Sequence, residues 1–477
     1  MSVLRNIGIG TVANATGQLA QLAFIPVVTR LVGPEVYGIF MVFQLSSAVV
    51  SLLAGVQYNS AIVLCSRRNQ AAAVSALVAW LGVAVCSLLL LALAATLLAP
   101  EPWMRVPVWA LPALLLFCIA NTLQRIGLSL AVRAGGFRAT ALSGLANSLG
   151  MIGVQFWLLT RSVDGVSALV WGLVVGQWAS LLPLASTLAG TGRELAGGAG
   201  SVRRVVWAAK RYARFPRYML LFALNGALRD RLVQLLVGSY SNAGALGKLA
   251  LAQRLITAPQ SLLHQGISPV LFSFASSNPR QATSRIAAVL VELVCVATAP
   301  IFVIVYTELP MLSTKLLGSK WVGIDAYIGW LMLPSLLLVS TSFVDKLFDV
   351  FGQQKQLMIL ETVYSAVLLI ALFAVFEMRL ADWAICAYSV IFTLYLLVCV
   401  YMAFALNGLE LRDLVTAMKW VLAMSGGYAV SIFCIVEWLP FEFRLPLAVL
   451  AYAAYMAIYV AVRGQHQLSW LRAKVGR

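Results

Sequence analysis

Apolar runs long enough to cross a bilayer recur from one end of this sequence to the other. That pattern limits the fold more than any motif does. The first run is Ile7–Val28, and others follow at 37–64, 71–99, 106–131, 139–160 and 165–190. A hydrocarbon core offers no water to unpaired backbone groups, so a spanning segment must be a helix or part of a sealed barrel. A barrel strand needs only about 9–11 residues, whereas a spanning helix needs about 20. Run length therefore selects helices. Composition agrees, with 61% of residues hydrophobic and 11% charged, against about 25% charged in a soluble domain. The predicted fold class is all-α: a polytopic membrane protein of about fourteen transmembrane helices.

Eight more runs follow, at 215–239, 244–274, 284–306, 322–350, 356–376, 381–404, 416–438 and 444–463. Ile7–Val28 is too long for a signal-peptide core and is followed by Thr29-Arg30, so it reads as the first span. An even number of spans returns both termini to one side. Arg and Lys concentrate on that side, at Arg67, Arg68, Arg133, Arg138 and through 203–217. The positive-inside tendency then predicts cytoplasmic N- and C-termini. The net charge of +17 fits loops facing the anionic lipids of the inner leaflet. Nucleic acid is not an expected partner, because no basic soluble segment with interleaved aromatics is present.

The longest connection, 191–214, opens with the flexible "GTGRELAGGAGS" and continues as "VRRVVWAAKRYAR". Its second half has the character of a basic amphipathic helix on a membrane surface. The expected domains are an N-lobe at 1–190, this linker at 191–214, a C-lobe at 215–404, and two added helices with a basic tail at 405–477. No cofactor, metal site or enzymatic chemistry is expected. The seven cysteines form no CxxC, only two histidines occur, and the sequence has no Walker A loop, HExxH or GxSxG motif. Energy must come from a gradient or from the flux of a substrate.

Two internal echoes suggest that the lobes are copies. "VYGIFMVFQL" (36–45) aligns with "ALGKLALAQR" (245–254), setting Gly38 on Gly247 and Gln44 on Gln253. "RAGGFR" (133–138) aligns with "VFGQQK" (350–355), setting Gly135 on Gly352. Six spans separate the copies, so the repeat is parallel, and binding sites in such transporters lie between halves near the midplane.

Polar stripes mark the candidate lining. Thr11, Asn14, Gln18 and Gln21 share one face of the first span; Gln253, Thr257, Gln260, His264 and Ser268 share one face of the eighth. Gln44, Ser47 and Ser51 form a shorter set on the second. Such stripes suit a hydrated cavity, and interhelical hydrogen bonding is the alternative use. His264 is either a stripe member or a proton-coupling group.

Charges inside spans are the strongest site signal. A charge at a helix centre costs about 2.5–3.5 kcal/mol, while a leucine returns only about 0.3–0.6. Arg229, Asp230 and Arg231 nevertheless sit together in the seventh span, with Arg254 in the eighth and Arg125 in the fourth. Arg229 and Arg231 project about 200° apart, so the two point different ways. Asp230 is expected to pair with one arginine, leaving others for anionic ligand oxygens. Asp345, Lys346 and Asp349, at the cytoplasmic end of the tenth span, read equally as an ion-pair cluster or as an inward gate.

"PVVTRLVGPEVYGIF" (26–40) and the segment 214–272, with "LRDRLVQLLVG" and "LAQRL", resemble Wzx-type polysaccharide flippases of the multidrug/oligosaccharidyl-lipid/polysaccharide exporter superfamily. Lys248 departs from the family pattern, in which an apolar or aromatic residue is expected after the glycine. The resemblance implies two six-helix lobes plus two helices in a bacterial inner membrane. It implies movement of a polyprenyl-pyrophosphate-linked oligosaccharide from the cytoplasmic to the periplasmic leaflet. A coupling ion (proton or sodium) and glycan-assembly machinery are further expected partners. Export of small organic cations and membrane-embedded glycan polymerisation or ligation are the competing readings.

Overall fold

The computed structural model describes residues 2–65, 67–98, 109–161, 163–194, 201–213, 216, 221–277, 279–408, 411–438 and 441–464. Every regular element among them is helical. The chain divides into two compact units, Met1–Gly247 and Lys248–Arg477.

The first unit holds α1 (Ser2–Leu31), α2 (Pro34–Gly55), α3 (Tyr58–Leu64), α4 (Arg68–Leu98), α5 (Ala110–Arg133), α6 (Phe137–Thr160), α7 (Gly165–Ala179), α8 (Ala185–Glu194), α9 (Val202–Arg211) and α10 (Leu221–Tyr240). α11 (Ala243–Ser277) starts in this unit and runs into the second. The second continues with α12 (Arg280–Leu317), α13 (Ile324–Thr341), α14 (Asp345–Val350), α15 (Gln354–Glu377), α16 (Ala384–Ala405), α17 (Leu411–Trp438) and α18 (Phe441–Tyr459). Nine helices among the described residues are long and apolar enough to cross a membrane. α10, with three charges, is not among them. Val83, Leu88 and Leu91 on α4 and Val363, Ile370 and Phe373 on α15 stand exposed, as lipid-facing side chains do.

Three expected spans are broken, each for a local reason. The second bends between α2 and α3, where Val56 and Gln57 take left-handed backbone angles (φ 41° and 61°), a conformation rare for a β-branched residue. The sixth breaks at Pro183, whose ring removes a backbone donor, into a short 3-10 turn before α8. The tenth breaks at 342–344. There Ser340 and Thr341 bond back to the carbonyls of Leu336 and Leu337, a habit that loosens helices.

Small residues let helices meet closely. On α6 and α7, a methyl at Gly176 would stand 2.7 Å from the Asn147 carbonyl oxygen, and one at Gly150 would stand 2.9 Å from Ala179 Cβ. α2 and α11 cross at Gly38 and Gly247, the two glycines matched by the repeat. A methyl on Gly38 would strike the Ala243 carbonyl, and one on Gly247 the Pro34 carbonyl. The second echo is structural too. Gly135 (φ 71°) follows α5 and Gly352 (φ 72°) follows α14. The next residue closes each cap: Gly136 N–H donates to Ala131 O at 2.8 Å and Gln353 N–H to Phe348 O at 2.8 Å. Both are Schellman ends, which favour glycine.

α17 and α18 pack inside the second unit, where Tyr428 and Tyr459 join Val296, Phe343, Leu347 and Phe404 in its core. In the first unit α9 packs Ala208 against Ala61, Ile62 and Val74. Tyr58 donates to the Ala209 carbonyl at 3.2 Å, and Arg133 to the Cys65 carbonyl at 2.8 Å.

Candidate functional site

α10 carries the densest charge. Arg229 Nε donates to Asp230 Oδ1 at 3.0 Å, with the Arg229 side chain 14% exposed and Asp230 56% exposed. The pair is between sequence neighbours, and it occupies Asp230 from one side. Arg231 is partly buried, and its Nε has no hydrogen-bond partner among the described residues. One turn beyond Asp230, the Gln234 side chain is buried. The net charge of the Arg-Asp-Arg triplet is therefore positive, with Asp230 hydrogen-bonded to Arg229.

Arg125 on α5, which the sequence also places inside a span, donates Nε to Asn121 Oδ1 at 3.0 Å. Gln18 and Gln44 are partly buried. Gln21 donates to Ser148 Oγ at 2.9 Å, joining α1 to α6, which is the interhelical use of a polar side chain. The side chains of Thr11, Asn14 and Asp349 lie outside the described residues. A polar chain unsuspected from the sequence links three helices: Asn147 Nδ2 donates to Gln177 Oε1 at 3.0 Å, and Gln177 Nε2 to Gln124 Oε1 at 2.6 Å.

In the second unit Gln253, Arg254 and Gln260 are partly buried on α11, and Thr257 is exposed with its hydroxyl on the Gln253 carbonyl at 2.7 Å. The Lys248 ammonium sits beside Gly323, just before α13. His264 Nδ1 lies 2.9 Å from the Ser342 carbonyl and 3.0 Å from Ser268 Oγ. The histidine thus caps the break between α13 and α14. Asp345 and Lys346 pair at 3.2 Å, with side chains 40% and 27% exposed.

Sequence reasoning passed over two acids inside the expected spans: Glu292 on α12, which is buried and accepts from Tyr459 at 3.3 Å, and Glu361. Glu361 on α15 accepts from Tyr395 at 2.5 Å, and Tyr395 stacks on Tyr364 with ring centroids 4.2 Å apart. Its signal was in plain view: a carboxylate inside the apolar run 356–376. No group of three or more metal-ligating side chains occurs among the described residues.

The family described as "Polysaccharide biosynthesis protein" matches residues 27–326, a stretch that contains α10, Arg125 and Arg254. The chain belongs to this family. No curated protein matches the sequence. Among solved structures, "Lipid II flippase MurJ, inward closed conformation" is 14% identical, covering 95% of this chain and 98% of its own, with a TM-score of 0.69. An inward-facing multidrug resistance MATE family transporter of the MOP superfamily is 12% identical, covering 84% and 99%, with a TM-score of 0.58. A MATE in complex with MaL6 is 13% identical, covering 87% and 96%, with a TM-score of 0.52. At these identities the likeness is one of fold. This polysaccharide biosynthesis protein is a multi-pass membrane protein with the fold of that transporter and flippase superfamily.

Proposed function

We propose that the chain moves a polyprenyl-pyrophosphate-linked oligosaccharide from the cytoplasmic to the periplasmic leaflet of the inner membrane by alternating access, with both termini cytoplasmic. The observation that carries this reading is the α10 triplet. Its only carboxylate, Asp230, already bonds Arg229, while Arg231 keeps a buried Nε without a partner among the described residues. A site of this kind favours an anion. Guanidinium groups bind phosphate oxygens in paired, directional hydrogen bonds. Within the same unit Arg125 is a further cation inside an expected span, and the partly buried Gln18 and Gln44 suit a hydroxyl-rich glycan. Transport of an organic cation would need a carboxylate at liberty, which Asp230 is not. The family match supports polysaccharide assembly as the setting.

The test is translocation of lipid-linked glycan in cells expressing Arg231→Gln and Arg254→Gln at wild-type levels. Each variant should lower transport at least tenfold. Full transport by both would defeat the cationic site. Lost resistance to cationic dyes on deletion, with surface glycan intact, would favour the exporter reading instead.

A further inference from the structure

No acidic residue occurs between Glu194 and Asp230, and Glu194 itself pairs with Arg68. α9 lies inside that stretch and carries Arg203, Arg204, Lys210 and Arg211, all exposed. Its inner side, Val205, Ala208, Ala209 and Tyr212, packs on α3 and α4. At about 100° per residue, the centre of that side lies about 150° from Trp207. The indole is therefore on the outward side, and it is 43% exposed. Arg203 and Lys210 lie about 40–60° to one side of it, and Arg211 and Arg204 about 40–60° to the other. The Tyr212 ring meets the indole edge-on, with centroids 6.4 Å apart, which fixes its direction.

Depth sets the surroundings of this outward side. Arg68 opens α4 with its side chain 76% exposed, which marks the polar end of that span. Val74, against which Ala208 packs, lies six residues further in, about 9 Å by the helical rise. α9 therefore runs where headgroups meet acyl chains, the level at which an amphipathic helix settles about 5–10 Å deep. An indole favours that level, and long basic side chains reach from it to the phosphates with their stems along apolar surface. α9 is also strapped to α3 at both ends. The Tyr58 hydroxyl, at the start of α3, donates to the Ala209 carbonyl at 3.2 Å, and Cys65 Sγ, just past its end, stands 3.4 Å from the Tyr212 hydroxyl. The four cations are thus presented from a fixed platform at the foot of the second span.

We propose that the outward side of α9 is a docking site for the headgroups of anionic phospholipids in the cytoplasmic leaflet. Trp207 seats at the glycerol level, and the cations on either side of it take the phosphates. Charge complementarity selects an anionic headgroup, because the surrounding sequence supplies no carboxylate to these four cations. An apolar flank selects a lipid over an acidic protein. Val202 and Val206, 67% and 46% exposed, lie between the packed side and Arg203, where acyl chains cover them and an acidic protein surface would not. The site rests on the cytoplasmic placement of the termini proposed above and is independent of what is transported.

The experiment uses the purified full-length chain in a neutral detergent. Phosphatidylglycerol, phosphatidylcholine with the same acyl chains, and glycerol 3-phosphate are titrated by calorimetry, the lipids as mixed micelles. The α9 variant combines Arg203→Gln, Arg204→Gln, Lys210→Gln and Arg211→Gln. A control combines Arg138→Gln, Arg193→Gln, Arg285→Gln and Lys355→Gln, exposed cations elsewhere, and removes the same charge. Phosphatidylglycerol affinity should fall at least tenfold in the α9 variant and severalfold in Trp207→Ala, and stay within twofold in the control. Combined Arg203→Lys, Arg204→Lys and Arg211→Lys keeps the charge and should keep the affinity. Wild-type affinity should weaken between 0.1 M and 1 M salt, as the Debye length shrinks from about 10 Å to about 3 Å. An equal loss in the control would reduce the effect to net charge and overturn the site. Phosphatidylcholine or glycerol 3-phosphate bound as tightly as phosphatidylglycerol would overturn the anionic-lipid assignment. So would an α9 variant that binds phosphatidylglycerol like wild type yet fails in cells, which points to an acidic protein on the same face. The placement fails separately: labelling of Ser201→Cys in spheroplasts by a membrane-impermeant thiol reagent, beyond that of the wild-type chain, would put α9 outside and leave the binding result standing.

Discussion

Gly38→Ala probes the crossing of α2 and α11 directly. The new methyl would strike the Ala243 carbonyl, with the Gly247 nitrogen 3.2 Å away. The mirror change, Gly247→Ala, would strike the Pro34 carbonyl, with the Gly38 nitrogen 3.0 Å away. Carbon contacts settle at about 3.5–4.0 Å, and a backbone carbonyl has no rotamer with which to move aside. The helices must part. Overpacking of this kind costs about 1–3 kcal/mol. The pair is more informative than either single change. Once one methyl has parted the helices, the second enters a gap already open. The double variant should cost about as much as one single, giving a coupling of about 1–3 kcal/mol, where independent sites add to within about 0.5. The assay is denaturant unfolding of the full-length chain in one fixed detergent, for wild type, both singles and the double. Single costs that simply add, or a Gly38→Ala cost below about 0.5 kcal/mol, would refute the reasoning, because either outcome means the backbones do not meet there.

Gly135→Ala and Gly352→Ala should each destabilise by about 1–2 kcal/mol, the cost of a left-handed conformation for a side chain. Nothing lies within 4 Å of either added methyl, so the two costs should match, and Asn at either position should cost less by the same unfolding assay. Gln177→Leu removes the middle of the Asn147–Gln177–Gln124 chain. Intramembrane hydrogen bonds average about 0.6 kcal/mol with a maximum near 1.7, so a loss of about 1–2 kcal/mol is expected in melting; a gain would show that the leucine packs better than the amides bond.

The glycines of the two echoes were legible because each has a backbone job. Gly38 and Gly247 meet, and Gly135 and Gly352 end helices in the same way. Charges inside apolar runs were legible as well, since nothing else in such a run costs so much. The breaks in the spans were not. Val56 and Gln57 carry no turn chemistry, and only their neighbours hold them left-handed. Pairing was not legible either: helical geometry separates Arg229 from Arg231 but does not say which one Asp230 joins. Gln21 shows the limit of a polar stripe. Its spacing is that of a cavity face, yet its amide bonds Ser148 on a helix far along the chain. Asn121 drew no notice because an asparagine acquires meaning only from the arginine beside it.

The corner at Val56–Gln57 also sets an order of events during synthesis. Asn59 borders the corner, and Arg125 is made sixty-six residues later. At about 5–20 residues per second, the ribosome needs roughly 3–13 s to cover that distance. α4, made directly after the corner, packs Val74 and Val78 against Ala61 and Ile62 of α3, so the bend has apolar support before α5 is made. The second span thus draws on helices that follow it in the chain, and the first of them is its immediate neighbour.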